Sequence, residues 1–155
     1  RHLVLKLKCH EPEYLSRLKE IMPQEQWPAM IENLLADAKY PSGRMALYHF
    51  EGMLAELFEE LCQHPSFSSF TGYETELGIW NPQRTLIYYT EILKREMDKA
   101  NQRKDYRHLI RHLEKMKTYP NGDDAARNLA DYWYVNHKNR PAMKDELLKA
   151  GYPQK

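Results

Sequence analysis

The chain has 155 residues, of which 42% are hydrophobic and 29% charged. This composition is that of a globular protein and excludes wholesale disorder, and the length fits one domain spanning residues 1–155. No apolar run approaches the ~20 residues that a membrane helix needs. The two cysteines, Cys9 and Cys62, exclude a disulfide scaffold and favour a reducing cytoplasm. The chain has no signal-peptide pattern and begins at Arg1, so we expect a fragment of a longer cytoplasmic protein.

Charge is distributed unevenly along the chain, although the formal net charge is only +1. Residues 1–79 carry 7 Lys/Arg and 12 Asp/Glu, a net charge of −5, whereas residues 80–155 carry 16 and 10, a net charge of +6. Such asymmetry suits an anionic partner for the basic half, attraction between the two halves, or association of copies. An ordinary solvated surface of mixed charge is the alternative.

Helical periodicity predicts three helices in the first part of the chain. Pro12 opens a short helix that stops before Pro23. A second helix covers residues 27–38 and ends near Tyr40-Pro41. The third begins after Ser42-Gly43 and is predicted as one continuous helix. Its apolar stripe comprises Leu47, Phe50, Met53, Leu54, Leu57, Phe58 and Leu61.

Proline and glycine punctuate the rest of the chain and divide it into further helices. Pro65-Ser66 precedes an aromatic helix in which Gly72 is an unfavourable residue. Tyr119-Pro120-Asn121-Gly122 is a turn, and Gly151 follows the last helix. The predicted helices cover residues 67–80, 85–100, 103–117, 123–137 and 141–150.

Short loops between these helices force antiparallel neighbours. The helices pair into four hairpins at roughly 11–39, 43–80, 84–117 and 123–150, each of the size of a tetratricopeptide-like repeat. We therefore predict an all-α fold of stacked antiparallel hairpins, like an α-solenoid, although the tetratricopeptide consensus residues are missing.

Three packing predictions follow from the apolar stripes. The apolar stripes of the two helices within residues 84–117 should be buried against each other in one hairpin. The last helix should pack on Trp133. Arg140 should bridge to an acidic residue of an adjacent helix. The side chains concerned are Leu86, Tyr89, Leu93, Tyr106, Leu109 and Leu113 in the hairpin, and Met143 and Leu147 on Trp133.

The sequence contains few candidates for a metal site or a catalytic site. His108 and His112 lie four residues apart on one helix, as two zinc ligands do, but a third ligand is missing and helical angles place both on the outer face. Cys62-Gln63-His64 also lacks two further ligands. Glu59-Glu60 is typical of a solvated face. Phosphate-binding, nucleotide-binding and nucleophile motifs are absent, so we predict neither catalysis nor a bound cofactor or metal.

A basic ridge on the helix 103–117 is the best candidate binding surface. We define the basic ridge as Lys104, Arg107, Arg111 and Lys115, which cluster with His108 opposite the apolar stripe. Such a ridge suits phosphates or an acidic protein surface, while an ordinary exposed face is the simpler interpretation.

A series of residues in the last third of the chain resembles a known helical region. The series comprises Arg103-Lys104-Asp105-Tyr106, Leu109, Leu113, Lys115-Met116-Lys117, Leu129, Asn139-Arg140-Pro141-Ala142-Met143 and Glu146-Leu147. It resembles, over roughly residues 73–150, the C-terminal helical region of uncharacterised bacterial proteins with a SWIM-type zinc finger. The resemblance implies a helical accessory domain without catalytic residues. The finger itself, Cys-x-Cys followed by Cys-x-His, is not in this chain, and we expect it upstream.

These observations lead to two expectations for function. The first is a non-catalytic domain that mediates protein–protein interaction, because stacked hairpins expose grooves and the many aromatic residues are typical of interfaces. The alternative is a nucleic-acid-binding accessory module that uses the basic ridge. We expect no membrane partner.

Overall fold

The computed structural model describes residues 12–153, and the regular structure in that range is helical. The all-α prediction is therefore confirmed. The nine α-helices of this range are α1 (Pro12–Ile21), α2 (Trp27–Asp37), α3 (Pro41–Phe50), α4 (Leu54–Gln63), α5 (Phe67–Trp80), α6 (Pro82–Lys99), α7 (Arg103–Met116), α8 (Gly122–Asn136) and α9 (Pro141–Lys149). Cys9 lies outside the described residues.

The chain divides into two compact units, the first ending at Ser69 and the second beginning at Phe70, within α5. No low-complexity linker marks this division in the sequence. The single domain expected from the length stays a prediction.

The predicted third helix is wrong as one element, because the chain forms α3 and α4 instead. Gly52 separates them with a φ of +71°, a conformation that glycine adopts without steric cost. The amide of Met53 donates to the carbonyl of Tyr48 at 2.8 Å, and the amide of Gly52 donates to His49 at 3.1 Å. This pair of bonds is a Schellman motif that ends α3. The predicted hairpin 43–80 is also wrong, since parts of three helices fall within it.

The core of the first unit forms where α1 and α2 pack on α3. Its buried side chains are Leu15, Leu18, Trp27, Ile31, Leu34 and Leu47. Next to this core, Lys19 Nζ lies 3.3 Å from Glu51 Oε2, and the Trp27 indole N–H donates to the same carboxylate. The apolar stripes of α1 to α3 are thus the buried faces, as their periodicity predicts.

In the second unit, α6 and α7 each pack on the two helices that follow them in the chain. Contacts join α6 to α7 and α8, and α7 to α8 and α9. Lys94 lies 4.3 Å from the centroid of Tyr132, and Asp98 lies 3.2 Å from His137 Nε2. Because later residues of α6 meet later residues of α8, these two helices run in the same direction. The solenoid-like detail stays a prediction.

The second unit buries the hairpin side chains that the sequence singled out. Tyr89, Leu93 and Leu113 are fully buried, and the other three predicted members are 4–8% exposed. Trp133, Met143 and Leu147 are fully buried too, while their mutual contact stays a prediction.

The acidic partner predicted for Arg140 is wrong. Arg140 lies just before α9 and donates to the backbone carbonyls of Met97 and Asp98. These carbonyls belong to the last turn of α6, where helical partners run out; the Met97 carbonyl also accepts from the Ala100 amide at 3.2 Å. The guanidinium therefore caps α6, and it also lies 5.7 Å from the centroid of Tyr106.

Candidate partner-binding site

The basic ridge lies on the exposed face of α7, as predicted. The opposite face of α7 is buried through Tyr106, Leu109, Ile110, Leu113 and Met116. The four ridge side chains are all exposed, because a helix with one apolar stripe must turn its charges outward.

Two of the four ridge cations are paired with buried carboxylates. Arg107 Nε lies 3.3 Å from Oε1 of Glu146 on α9, a side chain that is 6% exposed. Lys115 Nζ lies 2.6 Å from Oε1 of Glu74 on α5, whose side chain is 5% exposed. These pairs hold neighbouring helices together, so Arg107 and Lys115 have a structural role that the sequence did not reveal.

A further arginine, which the ridge prediction did not include, strengthens the connection between α7 and α9. Arg103 Nη1 lies 2.7 Å from Asp145 Oδ2 and 2.9 Å from Glu146 Oε1. Hydrogen bonds from Arg103 and the charge of Arg107 lower the pKa of the Glu146 carboxyl, against the effect of desolvation. Glu146 is therefore ionised at neutral pH between two guanidinium groups.

Lys104 and Arg111 are the remaining ridge cations. Both are exposed, and neither forms an ion pair within the range 12–153. The cationic part of the ridge that is available to a partner is therefore narrower than the sequence suggests.

A buried polar cluster lies beside the ridge, around Glu74. The Tyr119 hydroxyl donates a hydrogen bond to Glu74 Oε2. The Tyr89 hydroxyl is hydrogen-bonded to Nδ1 of His112, and the rings of Tyr89 and Tyr119 meet edge to face with centroids 6.2 Å apart. Burial, followed by the charge of Glu74, raises the pKa of Tyr89, while burial and then the hydrogen bond to Glu74 raise that of Tyr119. Both phenols therefore stay protonated at neutral pH.

The position predicted for His112, on the outer face, is wrong. His112 is half-buried because the imidazole reaches towards Tyr89 across the packed helices α6 and α7. Burial, then the charges of His108 and Lys115, lower its pKa to about 4. His112 is therefore neutral at pH 7. Its ring centroid lies 5.2 Å from that of His108, but no group of three possible metal ligands occurs among the described side chains.

Glu74 also lines a cleft of about 260 Å³. The cleft lies between the end of α5, the last turn of α7 and the loop that follows it. Its lining includes Lys115, Tyr119 and an apolar rim of Ile79, Pro82 and Pro120. Ile79 is 81% exposed, which is high for a large apolar side chain that lines a cleft.

Sequence reasoning missed Glu74, although a signal was present. Glu74 follows Phe70 by four residues and precedes Leu77 by three, so it falls on the buried stripe of its helix. A carboxylate at such a position predicts a buried charge that needs a partner.

The remaining candidates of the first unit lie at the surface or in a local ion pair. Cys62 and His64 are exposed at the end of α4. The predicted solvated face at Glu59-Glu60 is wrong for Glu60, which is 9% exposed and accepts from Arg44 Nε at 2.8 Å. Helix packing of α3 on α4 turns this second carboxylate inward.

Within residues 12–153 no helix is both long and apolar enough to cross a membrane. Comparison with known proteins gives no match to a family model, a curated protein or a solved structure.

Proposed function

We propose that the chain is a non-catalytic helical accessory domain that binds an acidic surface of a partner protein through Lys104 and Arg111. The observation that supports this proposal is the pairing within the basic ridge. Arg107 and Lys115 are neutralised by buried carboxylates, while Lys104 and Arg111 are exposed cations.

Two exposed cations are better suited to attracting an acidic protein surface during association than to binding along a nucleic-acid backbone. Rim charges raise the association rate with a complementary protein more than they raise affinity. Binding along a nucleic-acid backbone depends on many phosphate contacts, since each releases counterions. The resemblance to the helical region of SWIM-type bacterial proteins also supports an accessory role, and the low cysteine content supports a cytoplasmic location.

The test compares two double variants that change the net charge by the same amount. Lys104→Glu with Arg111→Glu should slow association of the partner about tenfold or more at low salt. The control, Arg127→Glu with Lys138→Glu, reverses one exposed arginine and one exposed lysine outside α7 and should leave association unchanged. Salt near physiological strength should reduce the difference, because exposed charges are screened beyond about 8–10 Å.

The nucleic-acid alternative is tested with the same proteins on a 20-base-pair duplex and on a single strand. Lys104 and Arg111 alone predict a shallow slope of log K against log salt, about −1.8 on duplex. Tight binding with a slope of about −3.6 would mean that all four ridge cations contact phosphates. If the Lys104/Arg111 double variant also loses this binding, the partner is a nucleic acid and not a protein.

A further inference from the structure

We propose that the Glu74 cleft binds a lysine or arginine side chain of the partner protein, which takes the place of Lys115 on the Glu74 carboxylate. The site lies in the second unit, and Lys115 of the basic ridge lines it. The inference rests on the proposed function in that the ligand belongs to a protein partner, and it names the chemistry by which that partner is recognised.

The first argument is the incomplete hydrogen bonding of Glu74. Oε2 accepts from the Tyr119 hydroxyl, whereas Oε1 is buried and accepts no hydrogen bond from a described residue. Lys115 Nζ lies 2.6 Å from Oε1, but the contact lacks the alignment of a hydrogen bond and is an ion pair alone. A buried carboxylate oxygen favours an aligned N–H donor, and a guanidinium or ammonium group supplies one.

The second argument is that Lys115 can leave. Its side chain is 49% exposed, compared with 5% for that of Glu74, and its ammonium sits on a flexible four-carbon stem. Removing one partner of a buried ion pair is costly, because the other charge stays buried and unpaired. Exchange of one cation for another avoids this cost, since Glu74 is paired before and after.

The third argument is the shape and lining of the cleft. Its volume of about 260 Å³ suits one long side chain. The rim of Ile79, Pro82 and Pro120 offers apolar surface to the methylene stem of a lysine or arginine. The charged head then lies at Glu74.

The exchange also connects the cleft to the ridge. Once displaced, Lys115 is a free cation one helical turn from Arg111, on the same face of α7. An acidic residue next to the partner's basic residue would then pair with Lys115 or Arg111. The partner segment is therefore predicted to carry a basic side chain flanked by acidic ones.

The experiment uses a capped, fluorescent seven-residue peptide with one central arginine between two aspartates. The control peptide carries citrulline, which is neutral and nearly isosteric, at the centre. Propylguanidinium alone tests whether a free small cation is sufficient. We expect binding of the arginine peptide, no binding of the citrulline peptide, and a weaker effect of propylguanidinium because it lacks the flanking acids.

Variants separate the exchange from simple charge attraction. Lys115→Met removes the resident cation and keeps the methylene stem, so the arginine peptide should bind about tenfold more tightly. Glu74→Gln should abolish binding while it retains an acceptor for Tyr119. Lys138→Met, which changes an exposed lysine outside α7 and outside the cleft lining, should change the affinity about twofold or less.

Wild-type protein provides a measurement that does not depend on the stability of a variant. With lysine side chains labelled with ¹³C, the Lys115 methylene resonances should shift on addition of the arginine peptide and stay in place with citrulline. Equal binding of both peptides, weaker binding to Lys115→Met, or unmoved Lys115 resonances at saturation would overturn the exchange. Unchanged partner association on reversal of Lys104 and Arg111, with the arginine peptide still bound by wild-type protein in preference to citrulline, would overturn the proposed function and leave the cleft proposal intact, so the two proposals fail separately.

Discussion

The Tyr89 hydroxyl and Nδ1 of His112 share a hydrogen bond that joins α6 to α7. The two rings meet edge to face with centroids 5.6 Å apart. Tyr89 is fully buried, so its hydroxyl needs a partner within the protein. The imidazole is that partner, and burial in this position disfavours its protonated form.

This relationship predicts that the second unit loses stability in mild acid. The pKa of His112 is lowered from 6.5 to about 4 in the folded chain, so the unfolded chain binds the proton first as the pH falls. The contribution of His112 is complete above pH 6.5 and is lost as the pH falls from 6.5 towards 4. Because the imidazole is only half-buried and partly screened by solvent, the contribution amounts to about 1–2 kcal/mol. Urea unfolding at pH 7 and pH 4.5 measures it.

His112→Gln serves as the test variant and His64→Gln as the control, since His64 is exposed. The His112 variant should be less stable at pH 7 and lose less stability between pH 7 and pH 4.5. The His64 variant should keep the wild-type pH dependence. A wild-type pH dependence in the His112 variant would show that this imidazole is not neutralised by burial.

A pair of leucine truncations tests the core of the second unit. Leu113→Ala empties a fully buried position on α7 and should reduce the free energy of unfolding by about 2–5 kcal/mol. Leu148→Ala removes the same atoms from a side chain that is 54% exposed on α9 and should cost under about 0.5 kcal/mol. Denaturant titration of both variants gives the two values. Similar losses at both positions would mean that the buried stripe of α7 is not part of the core.

Because Arg140 caps α6, we expect its replacement to lower the free energy of unfolding. A positive charge alone at this position should not restore that free energy. Arg140→Ala leaves the carbonyls of Met97 and Asp98 without these donors and should destabilise the unit by about 1.5–3 kcal/mol. Arg140→Lys keeps the charge but loses the planar fork that reaches two carbonyls, so it should recover only part of the loss. Thermal unfolding measures both. Wild-type stability combined with lost partner binding in Arg140→Ala would reassign this residue from structure to recognition.

Two glycines of α5 should respond oppositely to alanine. A Cβ at Gly78 would lie 2.8 Å from the Tyr119 hydroxyl oxygen, whereas a Cβ at Gly72 would meet no neighbouring atom within 4 Å. Gly72→Ala should stabilise the helix by about 0.5–1 kcal/mol. Gly78→Ala should cost about 1–3 kcal/mol through crowding of Tyr119. Calorimetry of the two variants checks the difference in sign, and a gain at both positions would show that Tyr119 yields without penalty.

The helices of the second unit were predictable because they depend on local rules. A 3.6-residue apolar period marks the buried face of α7, including Leu113, and the proline at position 141 marks the start of α9. The exposure of Lys104 and Arg111 follows from the same period, since charges on a one-sided helix must face water.

Gly52 in the sequence allows a break between α3 and α4, but only the backbone conformation decides that the helix ends there. The apolar stripe continues in register across Gly52, so periodicity alone predicts one helix. The positive φ of Gly52 ends it, because the two bonds of the Schellman motif satisfy the last carbonyls of α3.

Tertiary structure alone decided which charges are available to a partner. Lys104 and Lys115 have the same charge and lie on the same face of α7, yet Lys115 pairs with Glu74 and Lys104 remains exposed. The physical reason is that an ion pair between helices depends on their register and packing, which no local pattern encodes. Arg140 follows the same rule, since its partners are backbone carbonyls at the end of α6, and carbonyl groups carry no residue signature.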